Sequence, residues 1–169
     1  MKAILNKLFE QQRLTKEEAK SILIEIADEK FNNSQIASFL TVFLMRPISV
    51  SELAGFREAL LELSVKINLS DFNTIDLCGT GGDGKDTFNI STLTSFIVAG
   101  NGNKVAKHGN YSSSSISGSS NMLEYLGYKF TNDEAILKDQ VDKANICFLH
   151  APLFHPAMKA VGPTRRELG

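Results

Sequence analysis

The stretch DLCGTGGDGKDTFNIST, residues 76–92, constrains the fold more than any other part of this sequence. Gly79, Gly81, Gly82 and Gly84 come after the apolar run Thr74–Cys78, whose composition predicts a strand. They precede STLTSFIVA (91–99), whose spacing predicts a helix ending at Gly100 or Gly102. A strand that passes through glycines into a helix is a unit of α/β architecture. The first amides of such a helix are unpaired, and its positive dipole end faces whatever enters the loop. Glycine lets the backbone approach that guest closely. Asn89, Ser91 and Thr92 add short side-chain donors at the predicted helix start.

Two well-known phosphate loops half-match this stretch, and both fail. Gly79, Gly81 and Gly84 satisfy GxGxxG, but a dinucleotide site needs an acidic residue at the end of the next strand, about 20 residues on. The next predicted strand, Lys104–Lys107, runs into Lys107-His108, which is basic. Gly79–Lys85 also fits GxxxxGK, but Asp86 stands where a magnesium-binding Ser or Thr belongs. Asp83 and Asp86 would then place two negative charges in a triphosphate cradle, and the helix begins several residues too late.

The residues after the loop strengthen an anion-site reading. The second strand delivers Lys107 and His108, then Asn110 and a serine-rich stretch at 112–120. Coming directly after a strand, that stretch reads as a ligand loop rather than low complexity. Neutral donors around one strong cation suit a phosphorylated sugar, with Asp83 binding its hydroxyls or a cation that bridges its phosphates. Further on, helices are predicted over 117–126 and 133–142, a third strand over Ile146–Leu149 and a short helix over 156–161. The rhythm is that of an α/β domain with a central, mainly parallel sheet.

Residues 1–65 read differently, as four short helices with brief turns. Thr15-Lys-Glu-Glu18 is a capping box. Ala19, Ile22, Leu23, Ile26 and Ala27 form one apolar face behind it. Ser34 is expected to cap a third helix with Ile36, Phe39, Leu40 and Phe43 inward, stopped at Arg46-Pro47. Ser51 is expected to cap a fourth, with Leu53, Phe56, Leu60 and Leu63 inward. Domains are therefore expected at 1–68 (helical) and 69–169 (α/β). With 18 Lys+Arg against 19 Asp+Glu, the 169 residues carry a formal charge of -1, which offers no general reason to bind nucleic acid or an anionic membrane. No apolar run approaches the ~20 residues of a membrane span, and the N-terminus lacks a signal-peptide core. Cys78 and Cys147 have no CxxC partner and are expected as buried free thiols of a cytoplasmic protein.

At these residues the sequence resembles the anthranilate phosphoribosyltransferase family, related to the type II nucleoside phosphorylases. GTGGDGKDTFNIST (Gly79–Thr92) is similar to the family's glycine motif over its whole length. KHGN (Lys107–Asn110), SGS (Ser117–Ser119) with LEYLG (Leu123–Gly127), HPAMK (His155–Lys159) and the terminal RRELG resemble further blocks in order. The resemblance implies transfer of the phosphoribosyl group of phosphoribosyl pyrophosphate (PRPP) to the amine of anthranilate, releasing pyrophosphate, with Mg2+. It implies that Gly79, Thr80, Gly82, Asp83, Thr87, Asn89, Ser91, Thr92, Lys107 and Ser119 hold the donor, with Ser91 also a magnesium ligand. Gly79, His108, Asn110, Pro152, His155, Met158 and Arg165 would meet anthranilate, and Lys107 and His108 would be catalytic. Arg165 pairs the carboxylate in this picture, a fork geometry that lysine lacks.

The bland alternatives stay open: a solvated Lys107, structural histidines at 108 and 155, a charged helix surface at Arg165 and Arg166. His150 has no matching role and is expected to pack. Tyr111 stands where the family usually has arginine, removing a cation near the site. The family's chains are homodimers about twice as long, with a magnesium-holding Asp-Glu pair in the later half. The 169-residue chain is accordingly expected to be an N-terminal fragment with half an active site and negligible turnover alone. A nucleoside phosphorylase is the second reading, with the NIST stretch and KHGN favouring the transferase. A nucleic-acid-binding relative is the third, disfavoured by the balanced charge.

Overall fold

The computed structural model describes residues 1–79, 88–112 and 117–168. In chain order its elements are α1 (Lys2–Phe9), α2 (Lys16–Ala27), α3 (Asn33–Met45), α4 (Val50–Leu63), a 3-10 turn (Ser70–Phe72), α5 (Ile90–Gly100), β1 (Val105–Gly109), α6 (Ser119–Tyr125), α7 (Glu134–Ala144), β2 (Ile146–His150), α8 (Ala151–Phe154) and α9 (Met158–Leu168). They divide into two compact units, Met1–Ser64 with His155–Gly169, and Val65–Phe154.

In the helical unit α2, α3 and α4 begin with reciprocal caps. Thr15 Oγ1 accepts from the Glu18 amide at 3.1 Å, and the Glu18 carboxylate accepts from the Thr15 amide at 2.8 Å, as the capping box in the sequence predicts. At α3 and α4 the structure uses Asn32 and Ser49 instead of Ser34 and Ser51. The reason is the partner: Gln35 and Glu52 stand three residues after the true caps and bond back to their amides. The buried face of α4 is Glu52, Gly55 and Ala59, while the expected inward Leu53 is exposed. Gly55 is required by close approach to α2, because a methyl group there would run into the Lys16 carbonyl and stand 2.8 Å from the Ala19 side chain. Phe39, Phe43 and Phe56 meet edge to face at 5.1–6.0 Å between centroids, each such pair adding to plain area burial.

Glu52 carries a buried charge in this unit, its side chain fully inaccessible. Arg46 donates to it from both terminal nitrogens, at 2.6 and 3.1 Å, and the amides of Leu14 and Ser49 donate at 3.1 and 2.8 Å. Burial alone would raise its pKa, but these donors, Arg46 foremost, hold it at about 2. The segment from His155 onward packs here as well: Met158, Ala160 and Val161 join the core of Leu8, Leu14, Ala19, Ile22, Ile26, Ile36 and Phe39. The helix expected over 156–161 is longer than the sequence suggests, running from Met158 through Pro163 to Leu168, with Val161 and Thr164 buried.

In the second unit β1 and β2 pair in parallel, from Val105↔Ile146 to Gly109↔His150. Ala106, Cys147 and Leu149 share a core with Leu137, Val141 and Phe154. Phe148, on the opposite face, meets Phe96 and Tyr128 at 5.6 and 5.1 Å between ring centroids. The expected strand Thr74–Cys78 is reduced to a single parallel bridge, Ile75↔Val105. Pairing stops there because the next available amide of β1, that of His108, goes to the Asp76 carboxylate at 3.1 Å instead of to a backbone carbonyl. One consequence corrects a further expectation: Cys78, beyond the bridge, is exposed. Cys147 is buried as expected, which pushes its thiol up to about 12. No helix among the described residues is long and apolar enough to cross a membrane.

Candidate active site

β1 lies between the segment that Ile75 bridges to its first residue and β2 on the other side, and toward its carboxyl end it meets the Asp76 carboxylate and His150, so segments far apart in sequence come together there. Lys107 occupies the middle of β1 and is only 2% exposed. Its ammonium donates to the His108 carbonyl at 2.9 Å. Burial pushes its pKa down, and the nearby Cys78 and Asp76 pull it partly back. That pull places the ammonium in the field of residues 76–78, which lead directly into Gly79.

His108 is gripped twice by Asp76: its amide by Oδ1, and its Nδ1 by Oδ2 at 2.9 Å. A carboxylate at Nδ1 orients the ring and leaves Nε2 on the other side. Asp76 is absent from the residues singled out in the sequence, although an acid inside an apolar strand pattern was the available signal.

Gly79 closes the described part of the loop against α5. A methyl group at Gly79 would stand 3.1 Å from Ser91 Oγ. Asn89 precedes α5 and makes no side-chain cap bond, so its amide is not spent on the helix start. Thr92 is fully buried, and its Oγ1 has no hydrogen-bond partner among the described residues, an exception for a buried hydroxyl. On the other side Asn110 accepts through its backbone carbonyl from the Ser120 amide at 3.1 Å and from Ser119 Oγ at 3.3 Å. Gly109 permits that closeness, since a methyl group there would lie 2.5 Å from Ser119 Oγ.

The structure thus gathers Gly79, Ser91, Lys107, His108, Asn110 and Ser119 around one strand end, with Asn89 and Thr92 at the start of α5. Thr80, Gly82, Asp83 and Thr87, also expected at the donor, lie outside the described residues. Pro152 is exposed on α8 in the same unit, whereas His155, Met158 and the exposed Arg165 belong to the helical unit. No group of three or more His, Cys, Asp or Glu suited to a metal occurs among the described residues. A hard cation takes about six oxygens, so the Ser91 hydroxyl by itself does not make a magnesium site. Tyr111 donates to Glu124 at 2.7 Å and meets the buried His150 ring edge-on. His150 packs, as the sequence led us to expect, but it also bonds Ser120.

Residues 2–64 match the model of the glycosyl transferase family, helical bundle domain, and residues 71–169 match that of the glycosyl transferase family, a/b domain. The chain is 67% identical over 168 residues to the anthranilate phosphoribosyltransferase of Flavobacterium johnsoniae, an alignment covering 99% of this chain and 51% of that protein. Among solved structures, the anthranilate phosphoribosyltransferase of Thermus thermophilus aligns with a TM-score of 0.85 at 33% identity, covering 98% of this chain and 50% of that one. The Saccharomyces cerevisiae anthranilate phosphoribosyltransferase in complex with PRPP and Mg aligns with a TM-score of 0.83 at 29% identity, with coverage of 98% and 50%. The chain spans about half the length of the curated relatives it matches. With both of its parts matched in order, the chain belongs to the glycosyl transferase family, carrying that family's helical bundle domain and its a/b domain.

Proposed function

We propose that these residues serve an anthranilate phosphoribosyltransferase, which moves the phosphoribosyl group of PRPP to the amine of anthranilate. In that reaction the bond from the anomeric carbon to pyrophosphate breaks, and its electron pair leaves with the pyrophosphate. A bond from the amine nitrogen forms, and the nitrogen sheds a proton. Charge grows on the leaving oxygens, so the useful groups are fixed donors and a cation in a water-poor place. The single observation that carries the reading is the buried Lys107 ammonium, whose hydrogen-bond acceptor among the described residues is one backbone carbonyl, that of His108, on a strand beside which hydroxyl, amide and glycine groups converge.

In this reading Lys107 faces the donor's phosphates, and Gly79, Thr80, Gly82, Asp83, Thr87, Asn89, Ser91, Thr92 and Ser119 surround it. Thr92 Oγ1 finds in the donor the partner it lacks among the described residues. His108, oriented by Asp76, meets the acceptor together with Asn110 and Pro152. Magnesium, when bound, neutralises pyrophosphate oxygens, with Ser91 adding one hydroxyl. The same reading makes the enzyme a cytoplasmic homodimer, a point that rests on the family resemblance and that light scattering on the purified protein tests. The activity itself is tested by the loss of anthranilate fluorescence when PRPP and Mg2+ are added to a polypeptide carrying these residues. Loss that requires both additions supports it. Unchanged anthranilate, with phosphorolysis of pyrimidine nucleosides instead, overturns it.

A further inference from the structure

His150 is the last residue of β2 and pairs in register with Gly109, immediately before Asn110. It is 6% exposed, and burial lowers its pKa, favouring the neutral ring. Phe130 stacks on its face at 4.5 Å and 20°, and Tyr111 meets it edge-on at 4.8 Å. Its Nδ1 shares a 2.9 Å hydrogen bond with Ser120 Oγ, which is buried too.

The remaining bonds of Ser120 and its neighbours run to the Asn110 side of the site. The Ser120 amide and Ser119 Oγ both hold the Asn110 carbonyl. The Ser112 and Gly118 amides share Asn121 Oδ1, at 3.2 and 3.0 Å. Tyr111 is tied to Glu124 on α6. Residues 109–112 and 118–121 are therefore laced together, and the Ser120–His150 bond ties this lacing to the rigid sheet beneath it. A hydrophobic ring at position 150 would fill the same space between Phe130 and Tyr111 but would leave Ser120 Oγ buried and unpaired.

We infer that His150 is a positioning residue of the donor site: through Ser120, whose amide grips the Asn110 carbonyl beside Ser119, it holds Ser119 in the arrangement that receives PRPP. The inference rests on the donor-binding reading proposed for this site. Tyr111 contributes by packing edge-on against His150 and by its bond to Glu124.

Isothermal titration of the full chain with PRPP and Mg2+ tests this, using His150→Phe, which keeps the ring, Ser120→Ala, which removes only the hydroxyl, and the double variant. One charge-free hydrogen bond with a buried partner left behind is expected to weaken PRPP binding about tenfold in each single variant. The double variant is expected to bind no more weakly than either single one, because both remove the same tie. Melting temperatures report folding separately, and a titration shift of the His150 imidazole NMR signal on adding PRPP is a readout that plain packing would not move. Unaltered PRPP affinity in folded Ser120→Ala and His150→Phe, or additive losses, overturns the inference alone. Failure of the unsubstituted chain to bind PRPP overturns the donor-binding reading and this inference with it.

Discussion

Glu52 and Lys107 place one buried charge in each unit of the molecule, and the two are treated in opposite ways. Glu52, in the helical unit, has its carboxylate held by a two-pronged guanidinium and two backbone amides. Lys107, in the α/β unit, is buried nearly as deeply, yet among the described residues its ammonium donates to one neighbouring carbonyl. A buried charge is tolerable when paired and hydrogen-bonded. Glu52 meets that condition inside the fold, so its position needs nothing further. Among the described residues Lys107 meets it only in part, and the proposed function makes a substrate anion its further partner. In that reading a satisfied buried charge marks scaffold, while one with a single described acceptor marks chemistry.

The contrast breaks first at Glu52. Glu52→Ala leaves Arg46 buried without its partner and is expected to destabilise the helical unit by about 3–5 kcal/mol, measured by urea unfolding. A loss below 1 kcal/mol would reduce the four bonds to surface decoration. Acid sharpens the same point. The Glu52 carboxyl sits at about 2 against an ordinary 4.5, so its contribution is fully present above pH 4.5 and disappears as pH falls toward 2. Up to about 3 kcal/mol should be lost across that window, absent from Glu52→Gln. Parallel acid profiles of the two proteins would show the assignment is wrong.

Lys107 should respond in the reverse sense. Lys107→Met is expected to weaken PRPP binding about 100-fold, a typical loss for one aimed electrostatic group. Its melting temperature should hold or rise, because an apolar chain of similar length suits the buried position. A variant that unfolds like Glu52→Ala while still binding PRPP would reverse the roles of the two charges.

Much of this was legible in the linear order of residues. The Thr15–Glu18 box, the apolar face of α2, the break from helices to an α/β rhythm and the order of glycine loop, Lys107 and Asn110 all depend on residues near one another in sequence. Elements that needed distant partners were read less well. Ser34 and Ser51 looked like caps by type, but Asn32 and Ser49 are chosen by the reach of Gln35 and Glu52. The run at 74–78 has strand composition, yet the Asp76 side chain replaces the backbone acceptor that a continuing ladder needs. Leu53 lost its expected place because Gly55 lets α4 lie too close to α2 for a larger inner face.

Local chemistry, then, is what the sequence by itself determined: which stretches are helical, and which donors succeed one another along β1 and after it. Burial was decided only in three dimensions. Whether a lysine is solvated or enclosed, whether Cys78 is hidden, and whether His150 merely packs or anchors Ser120 depends on side chains 30 or more positions away. Periodicity reports the faces of one element, while desolvation and pairing are properties of what two elements enclose.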